Sequence, residues 1–396
     1  MNIQKIVPDI FYVGVNDRVT TLFEGLWPLP YGVSYNSYLV RGTEKVALID
    51  TVRINEVREF LGNIEMITGQ RKIDYLVVNH MEPDHSGSIP EVVCAFPDIK
   101  IIGNARTICM IKGFYHIDGD HFIEVKDGDE IDLGGHRLQF HITPMVHWPE
   151  TMMTYVPDLR LLFSGDAFGT FGALSGAVVD KDMDTSVYFP EMYRYYSNIV
   201  GKYGRFVQNA LKKLSPLPLD YICSTHGPVW NKQIPEVVGI VDRLSKYESE
   251  PGATVIYGSM YGNTAEVAEE IARQLSARGI KPIHIHDASH SSMSDMITDA
   301  FRYKILIVGS ATYSMRLFPP VEQFMNAMET REIKNKIFAT FESYTWSKGL
   351  VEAKLAEFAG RLGIPVVASM SMMQSVSDDS RQAARLLADK VADSYE

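Results

Sequence analysis

The chain has 396 residues, of which 46% are hydrophobic and 22% are charged, and these fractions are usual for globular proteins with a buried core. A domain size of about 100 to 200 residues predicts two or three domains. The formal net charge of −11 opposes binding to a phosphate backbone, so nucleic acid is excluded as the expected partner.

The cysteines and the N-terminus indicate the compartment. Cys94, Cys109 and Cys223 lie far apart and form no C-x-x-C pair, which argues against a disulfide framework and against a cysteine-ligated iron site. No signal-peptide core is visible near the N-terminus. No uncharged apolar run reaches the roughly 18 residues of a membrane-spanning helix. We therefore expect a cytoplasmic protein that does not enter membranes.

The first half of the chain alternates short runs rich in β-branched residues with turn signals. The runs are SYNSYLV, KVALID, YLVVNH, LQFHIT, RLLFSGD and YICSTHG. Helices are predicted at about residues 54–68, 89–95 and 197–214. The pattern predicts layered sheets with flanking helices.

The clearest break is KYESEPG at residues 246–252, where charge, Pro and Gly interrupt the apolar periodicity. We place one domain at residues 1–249 and a second at residues 250–396. After the break, the runs ATVIYGS, PIHIH, KILIVGS, KIFATF and IPVVAS alternate with helices, the last of them at residues 381–392. Five apolar strands that alternate with helices predict one doubly wound parallel sheet, an α/β fold.

The strongest chemical signal is HMEPDH at residues 80–85, which follows the apolar run YLVVNH. Three later runs, LQFHIT, RLLFSGD and YICSTHG, also lead to a residue that can bind metal, namely His147, Asp166 and His226. A single His or Asp after a strand is more often a turn or capping residue, but four such strand ends together point to one site. The candidate ligands are His80, Glu82, Asp84, His85, His147, Asp166 and His226.

Seven ligands, four imidazoles and three carboxylates, are too many for one tetrahedral ion, so two metal ions are implied. Asp166 is the natural bridge, because a carboxylate offers one oxygen to each ion. Imidazole and carboxylate without thiolate suit iron, manganese or zinc, and a redox role would select iron.

This ligand pattern resembles the metallo-β-lactamase superfamily. Glu82, at the third position of the motif, is similar to the flavodiiron branch, whereas hydrolases of the superfamily commonly carry His there. The resemblance implies two irons, one held by His80, Glu82 and His147 and the other by Asp84, His85 and His226, with Asp166 as the bridge.

The second half carries SMYGNT at residues 259–264, between its first strand and its first helix. Hydroxyls, a turn at Gly262 and the N–H groups of a helix N-terminus can bind an anion. The glycine patterns typical of ATP and dinucleotide sites are absent, so a monophosphate is favoured. Two further loops leave strands at the same edge, and Tyr313, Tyr344 and Trp346 could cover a flat heteroaromatic ring, although a single loop aromatic is more often a packing residue.

This arrangement resembles flavodoxin, and together with the first half it is similar to flavodiiron proteins over nearly the whole chain. The resemblance implies noncovalent FMN. Glu342, Thr345 and Lys348 stand where the third loop of the family often has glycine, so the flavin-facing backbone is expected to differ there. The predicted cofactor contacts are Ser259, Met260, Tyr261, Gly262, Asn263, Thr264, Ser310, Ala311, Thr312, Tyr313, Ser343, Tyr344, Thr345 and Trp346.

The resemblance implies an α+β half, a metallo-β-lactamase-like αβ/βα sandwich, followed by a flavodoxin-like α/β half. The implied function is reduction of dioxygen to water, of nitric oxide to nitrous oxide, or of both, with electrons from a separate donor such as rubredoxin or a flavoprotein reductase. Because the two cofactors lie on separate domains, the family implies a head-to-tail homodimer or a dimer of dimers.

Two alternatives stay open at this point. One is a binuclear zinc hydrolase, against which Glu82 and the flavin module argue. The other is an electron-transfer flavoprotein with a structural metal site. The sequence does not rank the two gases, and it leaves Trp148, Tyr193, Tyr195 and Tyr196 as either gas-pocket or packing residues.

Overall fold

The computed structural model describes residues 3–69 and 71–395. The chain divides into two compact units, one formed by Met1–Tyr196 and Arg205–Asp242 and the other by Ser197–Gly204 and Arg243–Glu396. The domain boundary that we place after residue 249 stays a prediction. Within the described residues, no helix combines the length and the apolar character needed to span a bilayer.

Among the described residues before position 246, the structure has seventeen strands and seven α-helices. The strands are β1 (Gln4–Val7), β2 (Ile10–Tyr12), β3 (Val15–Asp17), β4 (Leu22–Phe23), β5 (Trp27–Pro28), β6 (Val33–Tyr35), β7 (Tyr38–Arg41), β8 (Val46–Ile49), β9 (Tyr75–Val77), β10 (Lys100–Gly103), β11 (Phe122–Glu124), β12 (Glu130–Asp132), β13 (Arg137–Ile142), β14 (Met152–Val156), β15 (Leu161–Gly165), β16 (Tyr221–Ser224) and β17 (Val229–Trp230). The helices are α1 (Val57–Thr68), α2 (Pro83–Ser86), α3 (Ile89–Ala95), α4 (Ala105–Tyr115), α5 (Tyr188–Tyr195), α6 (Gly204–Leu214) and α7 (Ile234–Ser245).

Two large sheets carry the first unit. One has the order β1-β2-β7-β8-β9-β10-β11 and the other runs from β12 to β17 in sequence order. Strands β8 and β15 are buried along their whole length, in agreement with the apolar runs VALI and LLF that they contain. The sheets face each other, because the Tyr38 ring of β7 lies 5.2 Å from the Phe163 ring of β15. The Tyr38 hydroxyl also donates to the Ser224 carbonyl at 2.6 Å. The predicted layered architecture is therefore confirmed.

The helix predicted at residues 197–214 is only partly correct. A π-helical turn at Tyr196–Val200 and a 3-10 turn at Gly201–Tyr203 precede α6. Glycine disfavours a continuous helix, and Gly201 is tightly packed, since a Cβ there would approach the Phe301 ring to 2.7 Å. The chain therefore changes its helical pitch at this point.

The second unit contains one main sheet. Its strands are β18 (Glu250–Gly258), β19 (Ile283–Asp287), β20 (Tyr303–Tyr313), β21 (Arg316–Leu317), β22 (Ile337–Tyr344) and β23 (Val366–Met373), and its helices are α8 (Asn263–Ala277), α9 (Met293–Arg302), α10 (Pro319–Thr330), α11 (Leu350–Leu362) and α12 (Asp378–Asp393). The order is β19-β18-β20-β22-β23 with all pairs parallel, and the short β21 pairs with β20. The predicted five-stranded doubly wound sheet is confirmed. All its carboxyl ends lie at one edge, where such folds bind ligands.

Candidate dinuclear metal centre and flavin site

The metal-ligand loop begins where β9 ends. The buried Asp50 carboxylate accepts hydrogen bonds from Asn79 N at 2.7 Å and from Asn79 Nδ2 at 3.1 Å, which fixes the loop at the strand end. Pro83 starts the short helix α2, a position that favours proline because its ring is already set for the helix. This turn carries Asp84 and His85, so the loop that begins at His80 supplies candidate ligands both before and after Pro83.

The first group of ligand atoms combines this loop with two other strand ends. His147 Nε2 lies 3.0 Å from Glu82 Oε2 and 3.0 Å from Asp166 Oδ2. His80 Nε2 lies 3.4 Å from each of the same two oxygens. All four side chains are buried, and their ligand atoms lie within 4.8 Å of one another.

The second group lies on the other side of Asp166. His85 Nε2 is 3.2 Å from Asp84 Oδ2, 3.0 Å from His226 Nε2 and 3.1 Å from Asp166 Oδ1. His226 Nε2 is 3.3 Å from Asp84 Oδ2. Asp166 therefore turns Oδ2 toward the first group and Oδ1 toward the second, as a bridging carboxylate would. All seven predicted ligands come together.

The hydrogen bonds behind the ligands show that these atoms fit metal ions. His226 Nδ1 lies 2.8 Å from the Ser34 carbonyl, which can only accept, so the proton is on Nδ1 and the lone pair of Nε2 points into the centre. There it meets another imidazole and a carboxylate, which repel a lone pair unless a cation lies between them. Each group offers two imidazoles and carboxylate oxygen, a donor set that suits iron, manganese or zinc.

The electrostatics of the ligand cluster also favour bound positive charge. Burial alone would lower the pKa of His147, but hydrogen bonds with Asp166 and Glu82 outweigh it and raise the pKa to about 9. Burial would raise the pKa of Glu82, yet hydrogen bonds from His147 and His80 hold it well below its usual range. The pKa of Asp166 is lowered against burial, chiefly by His80 and His85. The carboxylates therefore stay ionised, and bound cations would neutralise them.

Sequence reasoning missed the residues that support the ligands. Glu150 is fully buried, and its Oε1 lies 2.9 Å from His80 Nδ1 and accepts from Met81 N at 2.8 Å. Asp50 and the Ser34 carbonyl support the centre from other strands. Glu150 follows His147 in the run HWPE, but one carboxylate after a proline gives no signal for a contact across 70 positions.

The aromatic residues left open by the sequence divide into two pairs. The Trp148 ring lies 5.5 Å from His80, edge to face, and the Tyr195 ring lies 5.5 Å from His226. Burial raises the pKa of the Tyr195 hydroxyl well above its usual value, and the nearby Asp166 carboxylate raises it further. Tyr193 and Tyr196 are buried.

A cavity of about 700 Å³ lies beside the ligands. Its wall includes Glu82 and Asp84, and Phe23 and Tyr35 pack their rings at 5.4 and 5.7 Å from His226. The cavity reaches the surface at Leu22, which is 43% exposed, and at Phe114, which is 51% exposed. A small neutral molecule could reach the ligands from solvent through this space.

The second unit has a cavity of about 350 Å³ at the carboxyl edge of its sheet, within the size range of small-molecule sites. Gly262 adopts φ +92 and donates its N–H to Ser259 Oγ at 3.1 Å, which shapes the turn before α8. Thr264 Oγ1 lies 2.8 Å from Ser343 Oγ and so joins the first loop to the third. Thr312 lines this cavity, and its buried Oγ1 has no partner among the described residues. These features fit a ligand with a phosphate and further polar atoms.

Twelve of the fourteen predicted cofactor contacts line this cavity, and Gly262 and Ser310 do not. Gly262 shapes the turn, and Ser310 Oγ accepts from Phe318 N at 2.9 Å. The structure adds Ser314, Met315, Ser347 and Gln374 to the lining. Tyr261 and Trp346 stand on the rim with exposed fractions of 90% and 83%.

Glu342 has a structural role in the third loop. Its side chain is buried and does not line the cavity. It accepts hydrogen bonds from Gly349 N at 2.5 Å, Val351 N at 3.0 Å and Glu352 N at 3.2 Å. A carboxylate at a helix N-terminus is stabilising, so Glu342 holds the start of α11. Of the two other departures, Thr345 lines the cavity and Lys348 does not.

The fold and the two sites define a metalloprotein with two parts. The β-lactamase-type half carries the ligands of a dinuclear metal centre, and the flavodoxin-type half carries a site that fits a phosphate-containing ligand. Residues 33–227 match the ODP family beta lactamase and residues 255–383 match Flavodoxin. The anaerobic nitric oxide reductase flavorubredoxin of Escherichia coli O1:K1 is 34% identical over 349 residues, which cover 87% of this chain and 72% of that protein. The chain belongs to the flavodiiron proteins.

Solved structures agree with this assignment. The rubredoxin oxygen:oxidoreductase from Desulfovibrio gigas has a TM-score of 0.94 at 26% identity, covering 99% of this chain and 98% of that one. A mutant of the flavo di-iron protein from Thermotoga maritima has a TM-score of 0.91 at 26% identity, covering 100% of this chain and 98% of that one. The predicted fold class, a metallo-β-lactamase-like half followed by a flavodoxin-like half, is confirmed.

Proposed function

We propose that this protein is an oxidoreductase that reduces dioxygen to water, nitric oxide to nitrous oxide, or both. The observation that carries the proposal is the pairing, in one chain, of two buried ligand groups sharing Asp166 with a phosphate cradle ringed by aromatic side chains. The names of the relatives, a nitric oxide reductase and an oxygen oxidoreductase, support the same chemistry. They also favour it over metal-dependent hydrolysis, against which Glu82 in place of His already argues.

In this proposal, His80, Glu82 and His147 would hold one iron, Asp84, His85 and His226 would hold the other, and Asp166 would be shared by the two. The bound irons and FMN supply electron storage and transfer to the gas. The protein supplies the ligand geometry and an environment with little water, since His80, His85 and His226 are fully buried. Charges interact more strongly in a buried site than in water, so the three carboxylates would hold bound irons firmly.

The flavin would bind with its phosphate at the loop from Ser259 to Thr264, where the N–H groups at the start of α8 favour an anion. Tyr313, Tyr344 and Trp346 line the same cavity and would contact the ring. The unpartnered Thr312 hydroxyl would bond a polar atom of the cofactor.

The cavity beside Glu82 and Asp84 is the proposed entry for the gas. A mostly apolar wall suits dioxygen and nitric oxide, which are small and uncharged. Tyr195, with its buried hydroxyl near Asp166, is the proposed nearby proton donor. Trp148 packs on His80 and limits the space around the ligand.

The proposal includes partners and a location. A separate donor such as rubredoxin or a flavoprotein reductase would deliver electrons to the flavin. We propose a head-to-tail homodimer, or a dimer of dimers, in which the exposed rim at Tyr261 and Trp346 is covered by a second copy. A cytoplasmic location agrees with the three free cysteines, since such compartments keep thiols reduced.

Steady-state assays test the function. Each assay starts from anaerobic protein and a chemically reduced donor, and one gas at a time is then added. Protein loaded with iron and FMN should consume at least one gas, and His80→Ala should lose most of that rate while FMN binding is unchanged. Protein that binds only zinc, hydrolyses an ester or amide and leaves both gases unreacted would contradict the proposal.

A further inference from the structure

The two ligand groups have the same composition. Apart from the shared Asp166, one contains His80, His147 and Glu82, and the other contains His85, His226 and Asp84. Each therefore offers two imidazoles and one carboxylate, so the ligands alone give no reason for the two sites to differ in metal affinity. A difference must come from the groups hydrogen-bonded behind the imidazoles, which orient metal-bound histidines and raise their basicity.

Behind His80 lies a buried carboxylate. Glu150 has no exposed surface, and its Oε1 lies 2.9 Å from His80 Nδ1. The same oxygen accepts from Met81 N at 2.8 Å, so it faces His80 as an acceptor and Nδ1 carries the proton. Its Oε2 has no partner among the described residues. The effect of the carboxylate is therefore directed at the imidazole and the adjacent backbone.

The other group lacks a carboxylate in that position. His226 Nδ1 donates to the Ser34 carbonyl at 2.8 Å, a neutral acceptor. His85 Nδ1 is buried and has no hydrogen-bond partner in the described part of the chain. The Asp50 carboxylate is nearby, but within the described residues it accepts from Asn79 N, Asn79 Nδ2 and His80 N and not from an imidazole nitrogen.

We propose that Glu150 is a positioning residue that makes the His80 site the tighter of the two metal sites. By accepting the Nδ1 proton, it fixes the tautomer of His80 and increases electron density at Nε2, the atom that faces the first group. The ion bound by Asp84, His85 and His226 should then leave first when metal is removed. This inference rests on the proposed two-metal function, but it concerns metal retention and not gas reduction.

The test is stepwise iron removal from the holoenzyme by a chelator, followed by metal analysis and Mössbauer spectroscopy. Wild-type protein should lose its irons in two phases. His85→Ala should keep an iron that matches the slow phase, and His80→Ala should keep one that matches the fast phase. Loss of the His80-site iron first in wild-type protein would overturn the proposal, whatever the result of any gas assay.

Variants of Glu150 test its role directly. Glu150→Gln keeps an acceptor for Met81 N and should weaken the slow site about 10- to 100-fold, as outer-shell substitutions do, with a changed Mössbauer doublet for that iron alone. Glu150→Asp should restore part of the slow phase. The control is Asp180→Asn, since Asp180 is a buried carboxylate that accepts from Asn231, Lys232 and Gln233 N away from the ligands. Unchanged phases in Glu150→Gln, or an equal loss in Asp180→Asn, would refute the role of Glu150.

Discussion

Asp166 is the residue on which both metal sites depend, because each of its oxygens faces a different ligand group. Asp166→Ala should therefore reduce iron from about two per chain to well below one. Trp148→Ala should keep most of the metal, since Trp148 only packs its ring against His80. Metal analysis of both variants, purified in parallel, checks this. Equal iron content in the two proteins would exclude the bridging role.

Trp346 offers a second test at a single position. Its ring lines the flavin cavity and is 83% exposed in the free chain, so its removal should cost the protein little stability. Loss of a stacked ring weakens binding by about 0.5 to 1.5 kcal/mol, which raises the FMN dissociation constant about 2- to 10-fold. Fluorescence titration of apoprotein measures it. Met373→Ala, exposed but outside the lining, is the control and should bind FMN normally.

Residues also show where sequence reasoning succeeds and where it ends. HMEPDH could be recognised because four possible ligands lie within six positions directly after a strand. Glu150 could not, because its contact with His80 depends on two loops meeting in space. The Ser34 carbonyl could not, because a backbone acceptor leaves no trace in residue type. The role of the Glu342 carboxylate at the start of α11 could not be predicted either, because it depends on how the third loop meets the helix.

In helix α12, the apolar residues whose spacing predicts the helix also form its buried face. Ala384, Leu387 and Val391 lie in the core with Val267 and Ile271 of α8. Leu387→Ala should destabilise the second unit by about 2 to 5 kcal/mol, whereas Leu386→Ala, at a position 54% exposed, should change stability by less than about 0.5 kcal/mol. Chemical denaturation of the full chain, followed through bound flavin fluorescence, compares them. Similar effects from both variants would mean that the helix does not pack as described.

Element boundaries were predicted less well than element types. The strands of the second unit were recognised from apolar runs such as TVIYG and KILIVG, which are typical of a sheet buried on both faces, and from the alternating IHIH of β19. The region before α6 was not, since five residues of π-helical turn and three of 3-10 turn are too short for periodicity to separate from an α-helix.

At the scale of the whole molecule, the proposed dimer predicts complementation between chains. His80→Ala should disable the metal centre and Thr264→Trp should fill the flavin cradle, so each homodimer should be inactive. Mixed dimers should recover activity, because one chain then supplies an intact flavin and the other an intact metal centre. Coexpression with two different affinity tags and gas-consumption assays would test this. Full activity in a verified monomer, or inactive mixed dimers that hold both cofactors, would rule out cross-chain pairing.

The central claim is that FMN and the two irons act together in reducing a gas. The most direct measurement is a single-turnover experiment in which fully reduced wild-type protein, without donor, meets a limiting amount of dioxygen. Two electrons from the flavin and one from each iron equal the four needed to reduce one dioxygen to water. The added dioxygen should therefore be consumed without release of peroxide, and one dioxygen per chain should suffice to oxidise the flavin and both irons. Peroxide formed in an amount equal to the dioxygen consumed would contradict this joint role, because each dioxygen would then have taken only two electrons, which the flavin or the iron pair could supply alone.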